Sequence, residues 1–377
     1  MKRAFVRIGI PILIAVVLTE ITLTLFFPID DPLRESKLRS SGFMYIESQF
    51  FPNEAYLFYP ESSLRHMASQ TRFSVNNMGF RGPRLAMPKP ADEYRIFMVG
   101  GSAAECLYLD DSATITSDLE RYLNANVPGG TVFRVYNAGK GGDRSFDHIA
   151  MISQRIIHLD PDMIILFAGL NDLTAAIAKT DYLHMPQSRR QALSFFDLLG
   201  MVATEFQIPR RVSRLVSTVS KKDVRQQIPF HSDYQRLVEI NKSYPVSATP
   251  PELNLVAYET NLRTIIGIAA AHRIRLVLMT QPTTWDSKIE PQAVDWHWMN
   301  CGENVRFREQ DMDRAMEAYN DVVRKLAREY GVPGLDLARA LPKSLELIYD
   351  DCHFSINGAG FAASLLGKML VTDSLLR

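Results

Sequence analysis

Ser102, Asp350 and His353 carry the side chains that acyl transfer requires. That chemistry needs a nucleophile, a base to take its proton, a group that orients the base, and donors for the oxyanion. Ser102 supplies a hydroxyl, and His353 is the best-placed base among eight histidines. His158 and His272 fall at the C-termini of predicted helices, where a cation is favourable for structural reasons. His148 lies within a predicted helix, and His66, His184, His231 and His297 sit in segments with no predicted place at a sheet edge. Asp350, three residues before His353, can fold its carboxylate back onto the imidazole. Donors are available from the Ser102 N–H, the Gly139 N–H and the Asn171 amide, which carries no charge to desolvate. Taken singly, these residues also read as a loop serine and a polar turn before a helix, so their placement decides.

That placement comes from a regular alternation of predicted strands and helices. Ile96 to Val99 is wholly apolar and reads as a buried strand; Gly100 and Gly101 then permit a sharp turn with Ser102 at its tip, ahead of a helix from Ile115 to Leu123. A second strand, Thr131 to Tyr136, runs into Asn137-Ala-Gly139-Lys-Gly-Gly142, and Ser145 caps a helix reaching His158. The third strand, Met163 to Ala168, runs into Gly169-Leu-Asn171-Asp172. Leu255 to His272 and Asp311 to Tyr330 read as helices, each followed by a strand, Arg275 to Thr280 and Val332 to Leu337. The Asp350–His353 turn opens a last helix through Leu370. The expected class is α/β, a mostly parallel sheet with helices on both faces. In such a sheet the loops after the strands share one edge, where residues distant in sequence converge.

Composition narrows the partners. The 377 residues are 46% hydrophobic and 22% charged, a globular balance. Forty-two basic residues offset forty-two acidic ones, so no overall field favours nucleic acid. Cys106, Cys301 and Cys352 form no CxxC pair and no zinc spacing, and imply neither a metal site nor a disulfide framework.

Lys2, Arg3 and Arg7 precede Ile8 to Phe27, twenty residues almost all apolar, with Glu20 the one charged residue. At about 1.5 Å per residue the run is about 30 Å long, one bilayer core. The basic flank predicts a cytoplasmic N-terminus and an exported body, and the lack of a small-x-small site predicts an uncleaved anchor over residues 1–28. Residues 29–91 read as a membrane-proximal segment, in which a short strand at Phe73 and Asn76-Asn-Met-Gly-Phe-Arg81-Gly82 suggest a strap docked on the main domain of residues 92–377. Residues 174–251, about Thr174 to Pro251, break the rhythm as an inserted cap. Arg189, Arg190, Arg210, Arg211, Arg214, Lys221, Lys222 and Arg225 make it basic, either as a solvated helix face or as a contact for anionic headgroups or glycans.

Gly101-Ser102, Gly139, Gly169-x-Asn171 and Asp350-x-x-His353, in that order, resemble the blocks of the SGNH/GDSL hydrolase superfamily, from about Arg95 to Gly360. Asn76 to Gly82 is similar to a segment ahead of the first block in membrane-anchored bacterial members. The resemblance implies a flavodoxin-like three-layer fold and ester hydrolysis on a serine without metal or organic cofactor. It also implies Ser102 as nucleophile, His353 as base, Asp350 as orienter, and Ser102, Gly139 and Asn171 as oxyanion donors. The first block reads Gly-Gly-Ser rather than Gly-Asp-Ser, which removes an acid from the turn but neither nucleophile nor base. The expected activity is hydrolysis of a small acyl ester, acetyl for example, on a glycan or lipid outside the cytoplasm. An O-acyltransferase using the same residues and a non-catalytic glycan-binding module are the alternatives.

Overall fold

The computed structural model describes residues 9–28, 50, 52–60, 64, 66–179, 206–212, 230–286, 288–302 and 304–376. The chain forms two compact units, one of residues 1–47 with 186–227 and the other of residues 48–185 with 228–377. In the first unit α1 (Ile10–Phe26) is a 17-residue helix with no buried residue. Among the described residues no helix is long and apolar enough to cross a membrane. Glu20, the acid on this apolar helix, accepts the Ile208 N–H at 2.8 Å and the Gln207 N–H as well, so its charge is met by the first turn of the helix at 207–212. Of the basic residues expected on the cap, Arg210 and Arg211 are described; Arg189, Arg190, Arg214, Lys221, Lys222 and Arg225 lie outside the described residues.

The second unit holds the sheet. A hairpin of β1 (Ala55–Phe58) and β2 (Thr71–Ser74) precedes it. The sheet strands are β3 (Glu93–Gly100), β4 (Val132–Asn137), β5 (Met163–Phe167), β6 (Arg275–Met279) and β7 (Gly334–Leu335), all parallel, in the order β4-β3-β5-β6-β7. Counted within the sheet this is the 2-1-3-4-5 order of doubly wound flavodoxin-like sheets, whose switch point lies between the first and third strands, here β3 and β5. The strands read as continuous apolar runs because both faces are covered. On one face α2 (Ser102–Glu105) leads into the segment before α3 (Ile115–Asn126), which packs with Leu119 and Leu123 beside Ala362 and Leu366 of the final helix over Ile96, Ile165 and Val277. On the other face lie α4 (Ser145–Gln154), α7 (Leu255–Ala271) and α8 (Glu309–Tyr330). Between them in sequence come α5 (Leu170–Ile177) and α6 (Phe230–Ser243), and α9 (Ile356–Thr372) closes the chain. The predicted strand from Val332 to Leu337 shrinks to two residues, since Pro333 has no N–H for the ladder and Leu337 begins a helical turn.

The strap from Asn76 to Gly82 is docked as expected, through one residue above all. The Arg81 backbone exchanges hydrogen bonds with Asn137 at the end of β4 (3.1 and 2.8 Å). Its buried guanidinium lies over the Phe73 ring and donates to Asp111 Oδ1 (2.9 Å) and to the carbonyls of Glu105 (3.0 Å), Cys106 (2.7 Å) and Leu109. It thus satisfies the C-terminal carbonyls of α2, the helix that begins at Ser102. Arg81→Ala strands these acceptors, each at about 1–3 kcal/mol, so a net loss of about 3–5 kcal/mol is expected in urea denaturation. Arg81→Lys should recover little of it, because an ammonium cannot reproduce the planar fork. A loss below about 1 kcal/mol would show that the strap does not brace this turn.

Candidate active site

Ser102 is the first residue of α2, with Gly101 as its N-cap. A Cβ on Gly101 would stand 2.5 Å from Asn171 Nδ2, so the amide of the third motif occupies the space that a side chain in the first would need. The Gly-Gly-Ser form of the turn is therefore matched to its neighbour: an aspartate in place of Gly101 would collide with the Asn171 amide, which donates to the Asp143 carbonyl at 2.8 Å. Asn171 is held there by Gly169, whose φ of +128° suits glycine and whose Cβ would meet the Tyr258 hydroxyl at 2.9 Å.

The last motif reaches the same edge. His353 Nε2 lies 2.7 Å from Ser102 Oγ, and Nδ1 lies 2.6 Å from Asp350 Oδ2. Asp350 Oδ1 accepts the backbone N–H groups of Cys352 (2.9 Å) and His353 (2.7 Å), which fixes the carboxylate before the ring meets it. Ser102, Asp350, His353 and Asn171 line one cavity of about 810 Å³. Leu107, Ala175, Ala178, Leu237, Ile240 and Met299 give it an apolar wall.

Gly139 is not at that cavity. Its N–H donates to Asn137 Oδ1 at 2.8 Å, the residue is buried, and its Cβ position lies 2.6 Å from the Glu105 nitrogen. This glycine packs the loop against α2 instead of facing a substrate. The glycines that line the cavity beside Ser102 are Gly141 and Gly142. The Asn137 side chain, two residues earlier, makes the turn that takes up the Gly139 N–H.

Residues 99–360 match the GDSL-like lipase/acylhydrolase family. The chain belongs to this family. It is an enzyme, a carboxylic ester hydrolase by family. Among solved structures the acylhydrolase is similar to a catalytic mutant of the acetylxylan esterase Axe2 from Geobacillus stearothermophilus, with 15% identity over 76% of this chain and 96% of that one, TM-score 0.43. It is similar to LAE5, an alpha/beta hydrolase from the metagenome of Lake Arreo, with 17% identity, 76% and 97% coverage, and TM-score 0.43. A putative acylhydrolase from Bacteroides fragilis shows 13% identity, 78% and 92% coverage, and TM-score 0.41. No curated protein matches the chain.

In the acylhydrolase the charges are arranged asymmetrically. Burial disfavours the His353 imidazolium, but the Asp350 carboxylate outweighs it and holds the histidine above its ordinary range. Burial also opposes the Asp350 charge, and His353 with the two backbone donors overcomes it, so this carboxyl stays low. Its neighbour Asp351 is different: burial pushes it up to about 6, and it accepts from Trp285 Nε1 (2.7 Å) and from the Trp298 and Met299 N–H groups (2.8 and 3.2 Å). Asp351 thus secures the loop carrying Trp298, whose indole also reaches Asp350 Oδ2 at 3.4 Å. Asp350, Cys352 and His353 are the group of possible metal ligands among the described residues. Both His353 nitrogens are engaged, and burial raises the Cys352 thiol to about 12, so this set is poorly suited to a cation.

Proposed function

We propose that the protein is a serine esterase in which Ser102 attacks the ester carbonyl, His353 takes the hydroxyl proton, and Asp350 orients and stabilises the imidazolium. The hydrogen-bonded path from Ser102 Oγ through His353 to Asp350, opening on the cavity, carries this reading. The oxyanion donors in it are the Ser102 N–H, the Asn171 amide and the backbone at Gly142, in place of Gly139. The substrate is a small acyl ester, acetyl for example, on a carrier outside the cytoplasm. The carrier is a glycan or a lipid: Leu107, Leu237 and Ile240 offer apolar contact to a chain, and Tyr108, Arg144, Tyr244 and Trp298 offer a sugar hydrogen bonds and ring faces.

A fluorophosphonate should label the wild-type protein on Ser102 and leave Ser102→Ala unlabelled. A panel of acyl esters, run with and without a sugar acceptor, should release free acid in both arms; acyl transfer to the acceptor would make it a transferase instead. Unlabelled wild-type protein would overturn the esterase reading. Asn171→Ala is expected to lower kcat about 10²–10³-fold with KM little changed, since the donor acts mainly in the transition state. A rise in KM at constant kcat would assign Asn171 to substrate binding.

The location is part of the same proposal. Ile12, Leu13, Ile14, Val16, Val17 and Leu18 of α1 are all exposed. With its flanking apolar residues the helix serves as a single-pass anchor, N-terminus in the cytoplasm. Retention of the full-length mass in alkali-washed membranes is the expected result, and release by mild salt would sink it.

A further inference from the structure

Glu105 ends α2, three residues after Ser102, and is used by none of the steps above. It is buried, yet it lines the cavity beside Ser102 and His353. Its carboxylate accepts the Gly141 N–H, and its Oε2 lies 3.1 Å from where a Gly141 Cβ would be. Its own backbone carbonyl is held by Arg81. The side chain therefore joins the helix carrying the nucleophile to the loop carrying Gly142.

We propose that Glu105 is a positioning residue of the active site, whose ionised carboxylate holds the Gly141–Gly142 peptide at Ser102. The inference rests on the esterase reading only for its kinetic consequence. A charge-assisted bond is roughly twice as strong as a neutral one, so the ionised carboxylate holds the Gly141 N–H more firmly than the protonated acid would. Arg81 on the strap, Lys140 on the loop and His353 opposite face Glu105 with positive charge, while the neighbouring Cys106 thiol is pushed up to about 11 by burial and stays neutral. Burial nevertheless lifts the Glu105 carboxyl to about 7, against the pull of the Gly141 N–H and these cations. The brace therefore releases as pH falls through neutrality.

Two measurements test it. With glycine 15N-labelled, the Gly141 amide shift should titrate near pH 7 in the wild type and stay flat in Glu105→Gln. This holds whether or not the protein hydrolyses esters. In kinetics, His353 must lose its proton and ionised Glu105 adds about tenfold, so the acid limb of log kcat/KM in the wild type should be steeper than one around pH 7 and return to one below it. Glu105→Gln keeps a neutral acceptor and should lose about tenfold in kcat, with the acid slope reduced to one. Glu105→Ala should lose about 100-fold in kcat with KM unchanged, as expected for an oxyanion donor displaced by about 1 Å. Superimposable acid limbs for wild type and Glu105→Gln, or a Gly141 amide that does not titrate, would overturn the proposal. Absence of fluorophosphonate labelling would overturn the esterase reading instead, and the Gly141 titration would still decide this one.

Discussion

Ser102→Ala and His353→Ala should each abolish nearly all turnover of a soluble acyl ester, and the double variant should be scarcely worse than either. Ser102 Oγ and His353 Nε2 are 2.7 Å apart and serve a single proton transfer. Removing the hydroxyl leaves nothing to attack; removing the imidazole leaves a hydroxyl that is almost wholly protonated near neutrality. Either change disables the same step, so the losses do not multiply. Residues acting as one unit in serine hydrolases lose about 10⁴–10⁶ in kcat, with a residual 10³–10⁴ over water left by the oxyanion donors and binding. The single and double variants should therefore fall on one floor. Ser102 lies at the cavity and His353 is only partly buried, so neither truncation empties a core position, and melting temperatures should move little. A double variant reduced by the product of the single losses, in folded protein, would show that the two residues act independently. Undiminished turnover by Ser102→Ala would remove the nucleophile from the mechanism altogether.

The parts of this site that were legible in the sequence are those that local chain geometry determines. An apolar run, two glycines and a serine place a hydroxyl at a sheet edge wherever a parallel sheet exists. Asp350 and His353 are close enough in sequence that a turn alone brings carboxylate to ring. Gly139 failed because its loop holds Gly139, Gly141 and Gly142, and residue type does not say which N–H is free. Asn137 was the missed signal: an asparagine two residues ahead of a glycine commonly takes that glycine's N–H, as it does here. Glu105 gives no signal in the sequence, because it follows a predicted turn and its burial depends on the strap and the Gly141 loop arriving from elsewhere. The cavity wall could not be read either. Leu237 and Ile240 belong to α6, within the stretch expected to be a basic cap, and only the tertiary fold places them beside Ala175 and Met299.

The neighbouring Asp351 is no reserve for Asp350, because its carboxylate is already committed to Trp285, Trp298 and Met299. Loss of Asp350 therefore has no substitute nearby, and the most damaging replacement is the most conservative one. In Asp350→Asn the backbone donors of Cys352 and His353 still demand an acceptor where Oδ1 stands, so the amide oxygen must occupy that place. The amide nitrogen then faces His353 Nδ1 as a donor. The ring answers by moving its proton to Nε2, the nitrogen that must be bare to receive the Ser102 proton. About 10⁴ in kcat should be lost near neutral pH, the size of the effect when a triad histidine is held in the wrong tautomer. In Asp350→Ala the ring is unguided but free to adopt the productive tautomer part of the time, so that variant should retain more activity than Asp350→Asn. Imidazole 15N shifts read the difference directly: protonated Nδ1 in neutral wild-type His353, protonated Nε2 in Asp350→Asn. The variant should also lose the elevated histidine pKa, because the carboxylate that held the imidazolium is gone, moving the remaining acid limb to lower pH. Asparagine and alanine variants of equal activity, with the same ring tautomer as wild type, would mean that Asp350 contributes charge alone and not the orientation of the base.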